Sequence, residues 1–227
     1  MIGVPRVHHR ATDSTSERAK ELARAGAPHG TLLTADEQTA GRGRQGRAWT
    51  APAATAVLAS VVLRDLGRAG ELLPLAAAVA VCEAAEEVAP VECRVKWPND
   101  VWVEGRKLAG ILIEGRPQER WAVLGIGLNV RTTELPDELR ETATSLGLEA
   151  VDPVLTALMT RLNEWLYRER AAILAAWRER DALLGSAVRW DRGEGTAAGI
   201  DDSGSLLVNT DSGTTALRAG EVHLLRA

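Results

Sequence analysis

The stretch "VECRVKWPNDVWVEGRKLAGILIEG", Val91 to Gly115, decides the fold class. By alternation and turn chemistry it reads as a strand running to Trp97, a bend at Pro98–Asn99–Asp100 and a short strand from Val101 to Val103. A tight turn at Glu104–Gly105 leads into a longer strand, Lys107 to Glu114. Strands joined so closely form hairpins. Hairpins mixed with helices favour an α+β domain with a mixed sheet over a doubly wound parallel fold.

The flanking sequence extends this pattern. "TLLTADEQ", "ATAVLASVVLR" (Ala54 to Arg64) and "RWAVLGIGLNV" (Arg120 to Val130) are further strands. "DSTSERAKELARAG" predicts a helix that opens on a capping box of Ser14 and Glu17, carries an apolar stripe of Ala19, Leu22 and Ala23, and stops at Gly26. "ELLPLAAAVAVCEAAEEV" predicts a helix with Pro74 near its first turn. The segment from Val151 to Gly185 is expected to open with Asp152 as cap and Pro153 at the first helical position. Leu155, Leu158, Leu162, Trp165 and Leu166, then Ile173 and Trp177, keep helical spacing.

After Gly185 helical periodicity ends, and short β segments alternate with Asp/Ser/Gly turns. Residues 1–184 are therefore expected to form one domain, and residues 185–227 a small antiparallel barrel or sandwich of five strands.

Composition narrows the function classes. The 227 residues carry a formal net charge of −4, so any basic patch that holds an anion is local. Residues 185–227 hold six Asp/Glu against four Arg, the opposite of a basic nucleic-acid face. Cys82 and Cys93 are the only cysteines, lie at no metal-ligand spacing, and read as buried thiols of a reducing compartment. The longest apolar run, Leu72 to Cys82, contains proline and falls short of the ~20 residues that span a bilayer. No signal-peptide core opens the chain, so a cytoplasmic location without membrane association is expected. His8 and His9, near the terminus, read as exposed or capping rather than as ligands.

Three places can carry chemistry. "EQTAGRGRQGRAWTAP", Glu37 to Pro52, interleaves glycines with Arg42, Arg44 and Arg47. Such a loop curls N–H groups and guanidinium groups around an anion, although its composition equally suits a solvated surface loop. It is no Walker A loop, because no Gly-Lys-Ser/Thr follows. Ser14–Thr15–Ser16 caps a helix, and its hydroxyls with free N–H groups also make a small polar site. Around the bend and hairpin, Lys96, Asn99, Asp100 and Lys107 form a candidate site for an anion and a metal, or an ordinary surface ion pair. The glycines of "GIGLNV" sit inside a strand with no helix after it. That excludes a dinucleotide fingerprint and suggests that backbone or ligand passes close by.

Taken in order, "DSTSERAKEL", "EQTAGRGRQGRAW", "VKWPNDVWVEGRKLAGILIE", "LGIGLNV" and the C-terminal "GIDDSGSLLV" and "GEVHLL" resemble the biotin protein ligases. The resemblance covers nearly the whole chain, in the short form that has no DNA-binding helix-turn-helix. It implies an α+β mixed-sheet catalytic domain with an SH3-like C-terminal barrel. It also implies a reaction in which biotin and Mg-ATP give biotinyl-5′-AMP and pyrophosphate, after which a carrier lysine attacks the acyl-adenylate.

By the same resemblance Lys107, Arg42 and Asp100 are catalytic. Ser14, Thr15, Ser16, Gln38, Arg42, Gly43, Arg44, Trp49 and Lys107 hold biotin, and Arg42, Arg44, Lys96, Asn99, Lys107 and Asn129 hold ATP. Asp100 is the candidate Mg²⁺ ligand. Ser16 departs from the family's asparagine. The implied partner is a biotin carboxyl carrier domain of an acyl-CoA or pyruvate carboxylase, not a nucleic acid, and family members occur as monomers or as homodimers. The rivals are a lipoate–protein ligase of the same fold and a nucleic-acid module using the Gly/Arg loop. Because the adenylate must be shielded from water, Gly41 to Trp49 is expected to be mobile without ligand.

Overall fold

The structure, a computed structural model, describes residues 1–64, 70–116, 120–131 and 139–225, with the Arg116 side chain left out. Strands β1 (Arg6–Thr12) and β2 (Leu32–Gln38) flank helix α1 (Thr15–Arg24). Next come β3 (Ala56–Leu63), α2 (Leu73–Val88), β4 (Cys93–Lys96), β5 (Asp100–Val103), β6 (Arg106–Arg116) and β7 (Trp121–Asn129). Helices α3 (Val151–Trp165) and α4 (Arg170–Arg178) lead to five short strands. These are β8 (Ala187–Trp190), β9 (Gly193–Ile200), β10 (Leu206–Thr210), β11 (Gly213–Leu217) and β12 (His223–Leu224).

β1 to β7 make one sheet in the order β1-β2-β3-β7-β6-β5-β4. β1 and β2 run parallel, joined by α1, and the remaining pairs are antiparallel. This is the expected mixed sheet.

The pleat sorts the side chains to two faces. Val57, Ala59, Val61 and Leu63 of β3 and Leu124, Ile126 and Leu128 of β7 enter the core under α2 and α3. α2 is rich in alanine and valine and is buried almost throughout, so α3 packs closely against it. The opposite face carries Ser60 and Val62 of β3 and Val123, Gly125, Gly127 and Asn129 of β7. There α1 lays Ala19 and Ala23 against Leu33, Val62, Trp121 and Val123. The α1 helix therefore delivers its N-terminus to the glycine-bearing middle of the sheet.

β8 to β12 form an antiparallel sheet in the order β11-β10-β9-β8-β12. It has two edges among the described residues, so the expected barrel or sandwich takes the form of an open five-stranded sheet, consistent with an SH3-like unit. Its Val188, Ala197, Ile200, Leu206, Val208 and Val222 belong to the same core as α2 and α4. Trp97 Nε1 donates to Gly204 O at 3.0 Å across the junction.

Other expectations need correcting. Ser14 does stand at the N-cap of α1, but its hydroxyl makes no cap bond, and Glu17 pairs with Lys20 and Arg42 instead of reaching back. Asp13 takes the capping part by accepting from Ser14 N–H at 2.6 Å. α3 starts at Val151, two residues before the expected first helical position, with Ala150 as its N-cap. Asp152 lies inside the first turn, where the helix dipole favours a carboxylate. The single apolar periodicity from Leu155 to Trp177 is broken into two helices between Trp165 and Arg170. β1 carries the paired histidines. Its polar, largely exposed residues on a sheet edge leave no alternation to read.

Candidate active site

A cavity of about 450 Å³ opens on the α1 face of the sheet, the size range of a small-molecule site. Its floor is β6 and β7, where Gly110, Gly125 and Gly127 leave room that any side chain would fill. A Cβ on Gly127 would lie 2.3 Å from the Trp49 ring, and one on Gly125 would lie 2.8 Å from Ser16 Oγ. Trp49, near the end of the Gly/Arg loop, thus lies flat on bare strand backbone. Its indole N–H is buried without a partner, a donor directed to no protein group.

One end of the cavity is polar and uncharged. The α1 N-terminus brings Thr15 and Ser16, and the end of β2 brings Gln38. Gln38 Oε1 accepts from Thr15 N–H at 2.7 Å and from Thr15 Oγ1 at 2.9 Å. The Ser14 hydroxyl is buried and unpartnered just behind them, outside the cavity lining.

The other end is cationic. Lys107 Nζ lies 2.7 Å from Asp100 Oδ1 and 5.7 Å from the centre of the Trp49 ring. Backbone bonds from Lys107 N–H to Thr142 O and from Thr144 N–H to Lys107 O pin it from behind. Asp100 is the only carboxylate residue lining the cavity among the described residues. Asn99 ties the hairpin together: its Nδ2 donates to Ile111 O at 2.8 Å, and its Oδ1 accepts from Arg44 at 2.9 Å. Asn129 donates to Thr144 O and lines the wall.

The Gly/Arg loop covers the mouth. Arg42 pairs with Glu17 and, at 3.4 Å, with Glu114, while Lys20 joins both carboxylates. The Lys20 hydrogen bond leads in holding the Glu17 carboxyl below its ordinary range. Arg44 is half-buried, which lowers its pKa. Arg47 pairs with Glu221 of the C-terminal unit.

Most sequence-predicted residues thus converge. Thr15, Ser16, Gln38, Arg42, Gly43, Arg44, Trp49, Asn99, Asp100, Lys107 and Asn129 all line this one cavity. Lys96 does not line it: its ammonium stacks over Trp102 at 5.1 Å, and burial lowers its pKa. It neighbours the site through its register partner Asp100. Sequence reasoning named Arg47 in the loop without giving it a ligand, and missed Ser60, which lies behind the cavity, Gly110 and the wall around Ala143 and Ser145. A strand serine or a loop alanine carries no local signal for a cavity brought together by the fold.

This combination defines a class. A half-apolar slot ends in neutral hydrogen-bonding groups at one side and in lysine and arginine at the other, all on a mixed sheet under the Gly/Arg loop. It suits a carboxylic acid activated at a phosphate. The profile of the Biotin/lipoate A/B protein ligase family matches residues 9–130, and that of the Biotin protein ligase C terminal domain matches residues 184–225. The chain belongs to this family.

The chain is 38% identical to the Biotin--[acetyl-CoA-carboxylase] ligase of Mycobacterium tuberculosis, over 95% of this chain and 87% of that one. It is 35% identical to the Bifunctional ligase/repressor BirA of Bacillus subtilis, over 99% of this chain and 75% of that one. Among solved structures, the biotin protein ligase from Aquifex aeolicus in complex with biotin and ATP superposes with a TM-score of 0.84 at 30% identity. The match covers 98% of this chain and 99% of that one.

Proposed function

We propose that the chain is an ATP-dependent ligase that activates biotin as biotinyl-5′-AMP and transfers it to a lysine of a biotin carboxyl carrier domain. One observation carries this reading: the cavity is neutral and polar at Thr15, Ser16 and Gln38 and cationic at Lys107 and Arg44, with Arg42 held at its rim by Glu17 and Glu114. Biotin has the same polarity, an uncharged ureido ring at one end and a carboxylate at the other. The biotin bound in the Aquifex aeolicus structure and the names of the relatives above support biotin over lipoate, whose dithiolane ring has no hydrogen-bonding groups for that polar end.

In the first step a carboxylate oxygen attacks the α-phosphorus of ATP, the new C(O)O–P bond forms, and the bond to pyrophosphate breaks. Two anions must meet, so cations at the contact are the main requirement. Lys107 is fixed at that place by backbone bonds and by Asp100. Arg42 and Arg44 are carried by a loop that the glycines leave free to fold over the phosphate. Trp49 walls the apolar side and excludes water. In the second step the carrier's neutral lysine amine attacks the acyl carbon, forms the amide and releases AMP. Asp100, beside Lys107, is the carboxylate placed to meet the incoming amine.

No cluster of three or more Asp, Glu, His or Cys able to hold a metal occurs among the described residues. The donor set therefore fits Mg²⁺ only in the mode usual for nucleotides, one carboxylate plus substrate phosphates, and Asp100 is the residue that would hold it. The ion would supply neutralisation of phosphate charge.

No helix among the described residues is long and apolar enough to cross a membrane. The reading is completed by a cytoplasmic setting and by a carrier domain of an acyl-CoA or pyruvate carboxylase as partner. The deciding experiment is pyrophosphate release from ATP with biotin and, separately, with lipoate. Release with biotin alone is expected, and release with lipoate alone would overturn the reading.

A further inference from the structure

Ser60 does not line the cavity, yet it lies directly behind its polar end, bonded to both hydroxyls there. It sits in the middle of β3, fully buried, directly opposite Gly125 of β7. Its hydroxyl is 2.9 Å from Thr15 Oγ1 and 3.2 Å from Ser16 Oγ. The missing side chain at Gly125 makes room for Ser16 to reach it, since a Cβ there would stand 2.8 Å from Ser16 Oγ.

Counting protons orders this chain of groups. Gln38 Oε1 accepts from the Thr15 backbone N–H, which identifies it as the carbonyl oxygen, so the Thr15 hydroxyl must donate to it as well. Thr15 has then used its only proton, and Ser60 must donate to Thr15. Ser60 in turn has used its proton, and Ser16 must donate to Ser60. The protons run one way, Ser16 to Ser60 to Thr15 to Gln38. Toward the cavity, the two lining hydroxyls offer lone pairs, and Gln38 offers its Nε2 N–H groups.

We propose that Ser60 is a positioning and specificity-determining residue. By taking the Ser16 proton, while Gln38 holds that of Thr15, it leaves both hydroxyls as acceptors and makes this end of the cavity select a ligand with ring N–H donors beside a carbonyl acceptor. The proposal rests on the biotin reading above, whose ureido ring has two N–H groups and one C=O. Without Ser60 the Ser16 hydroxyl loses its acceptor, and its proton is free to turn into the cavity. The site then tolerates an acceptor where it had required a donor.

The test is calorimetric binding to the full-length chain of biotin and of its oxazolidinone analogue, in which one ring N–H is replaced by oxygen. The wild type is expected to bind the analogue measurably but more weakly than biotin. In Ser60→Ala, biotin affinity should fall about tenfold, as for an uncompensated buried hydrogen bond, while affinity for the analogue should hold or rise. Ser60→Cys keeps the shape with a weak donor and should move in the same direction by less. It serves if the alanine variant does not fold. Equal weakening of both ligands would mean that Ser60 acts only in packing, and unchanged biotin affinity would remove it altogether; either result overturns the proposal. A wild type that binds no biotin would instead overturn the functional reading itself.

Discussion

At the scale of single residues, Lys107 is the side chain on which the proposed chemistry most depends. It is the one lysine lining the cavity among the described residues, and its ammonium is paired with a carboxylate. Lys107→Ala should lower biotin-dependent pyrophosphate release by about 10²–10³-fold, the usual loss for a preorganised charge at a developing anion. Near-normal release would take it out of the mechanism. Gly127→Ala should be almost as informative, because the new methyl would drive into the Trp49 ring. Overpacking of this kind costs about 1–3 kcal/mol, so a lowered melting temperature together with a raised KM for biotin is expected. An unchanged KM would place Trp49 away from the acid.

Asp13 supplies a pH signature. Its hydrogen bonds with Arg18, then with the Ser14 N–H, hold its pKa at about 2, below the value of 3.8 for a free aspartate. A depressed carboxyl stabilises the fold above its unfolded pKa and loses that contribution as pH falls through the folded one. The gap in melting temperature between wild type and Asp13→Asn should therefore be full at pH 5 and close by about pH 2. A gap independent of pH would mean that the charge does not matter to the α1 entrance.

At the scale of elements, the Gly/Arg loop from Gly41 to Trp49 was legible as an anion cradle but not in how it is held. The glycines and arginines are local facts. That Arg42 reaches Glu17 and Glu114, Arg44 reaches Asn99, and Arg47 reaches Glu221 depends on strands and turns far along the chain. These exposed or half-exposed ion pairs are individually weak, so the loop is expected to open readily. Limited proteolysis should cut it fastest without ligands and markedly more slowly with biotin plus ATP, and equal rates would refute a ligand-gated lid.

Strand periodicity was readable wherever one face was apolar, as in β3 and β7. It failed for β1, whose edge position exposes both faces. The capping box of α1 failed for a related reason. Ser14 and Glu17 have the right spacing, but Glu17 is drawn away by Lys20 and Arg42, and Asp13 meets the Ser14 amide.

At the scale of the molecule, the composition break near Gly185 separates two sheets. Yet Val188, Leu206 and Val208 share an apolar core with α2 and α4. Calorimetric unfolding should accordingly show one cooperative transition rather than two, and two resolved peaks would mean that residues 185–227 fold on their own. Trp97→Phe, which removes the N–H donated to Gly204, should cost about 1 kcal/mol in that transition. No change would show that this bond does not secure the junction.

The amino-acid order alone determined the hairpin-rich α+β class, the change of texture after Gly185, and the residue types needed to bring an acid to a phosphate. These follow from local causes: alternation, turn chemistry, and charge on a flexible backbone. Only the tertiary structure decided which face of the sheet is the floor and which glycines make room on it. It also decided that Lys96 stands aside while Lys107 faces Asp100, and that a buried serine on β3 orders the hydroxyls of α1. Each of these depends on which strands become neighbours, and that is set by burial across the whole chain rather than by any segment of it.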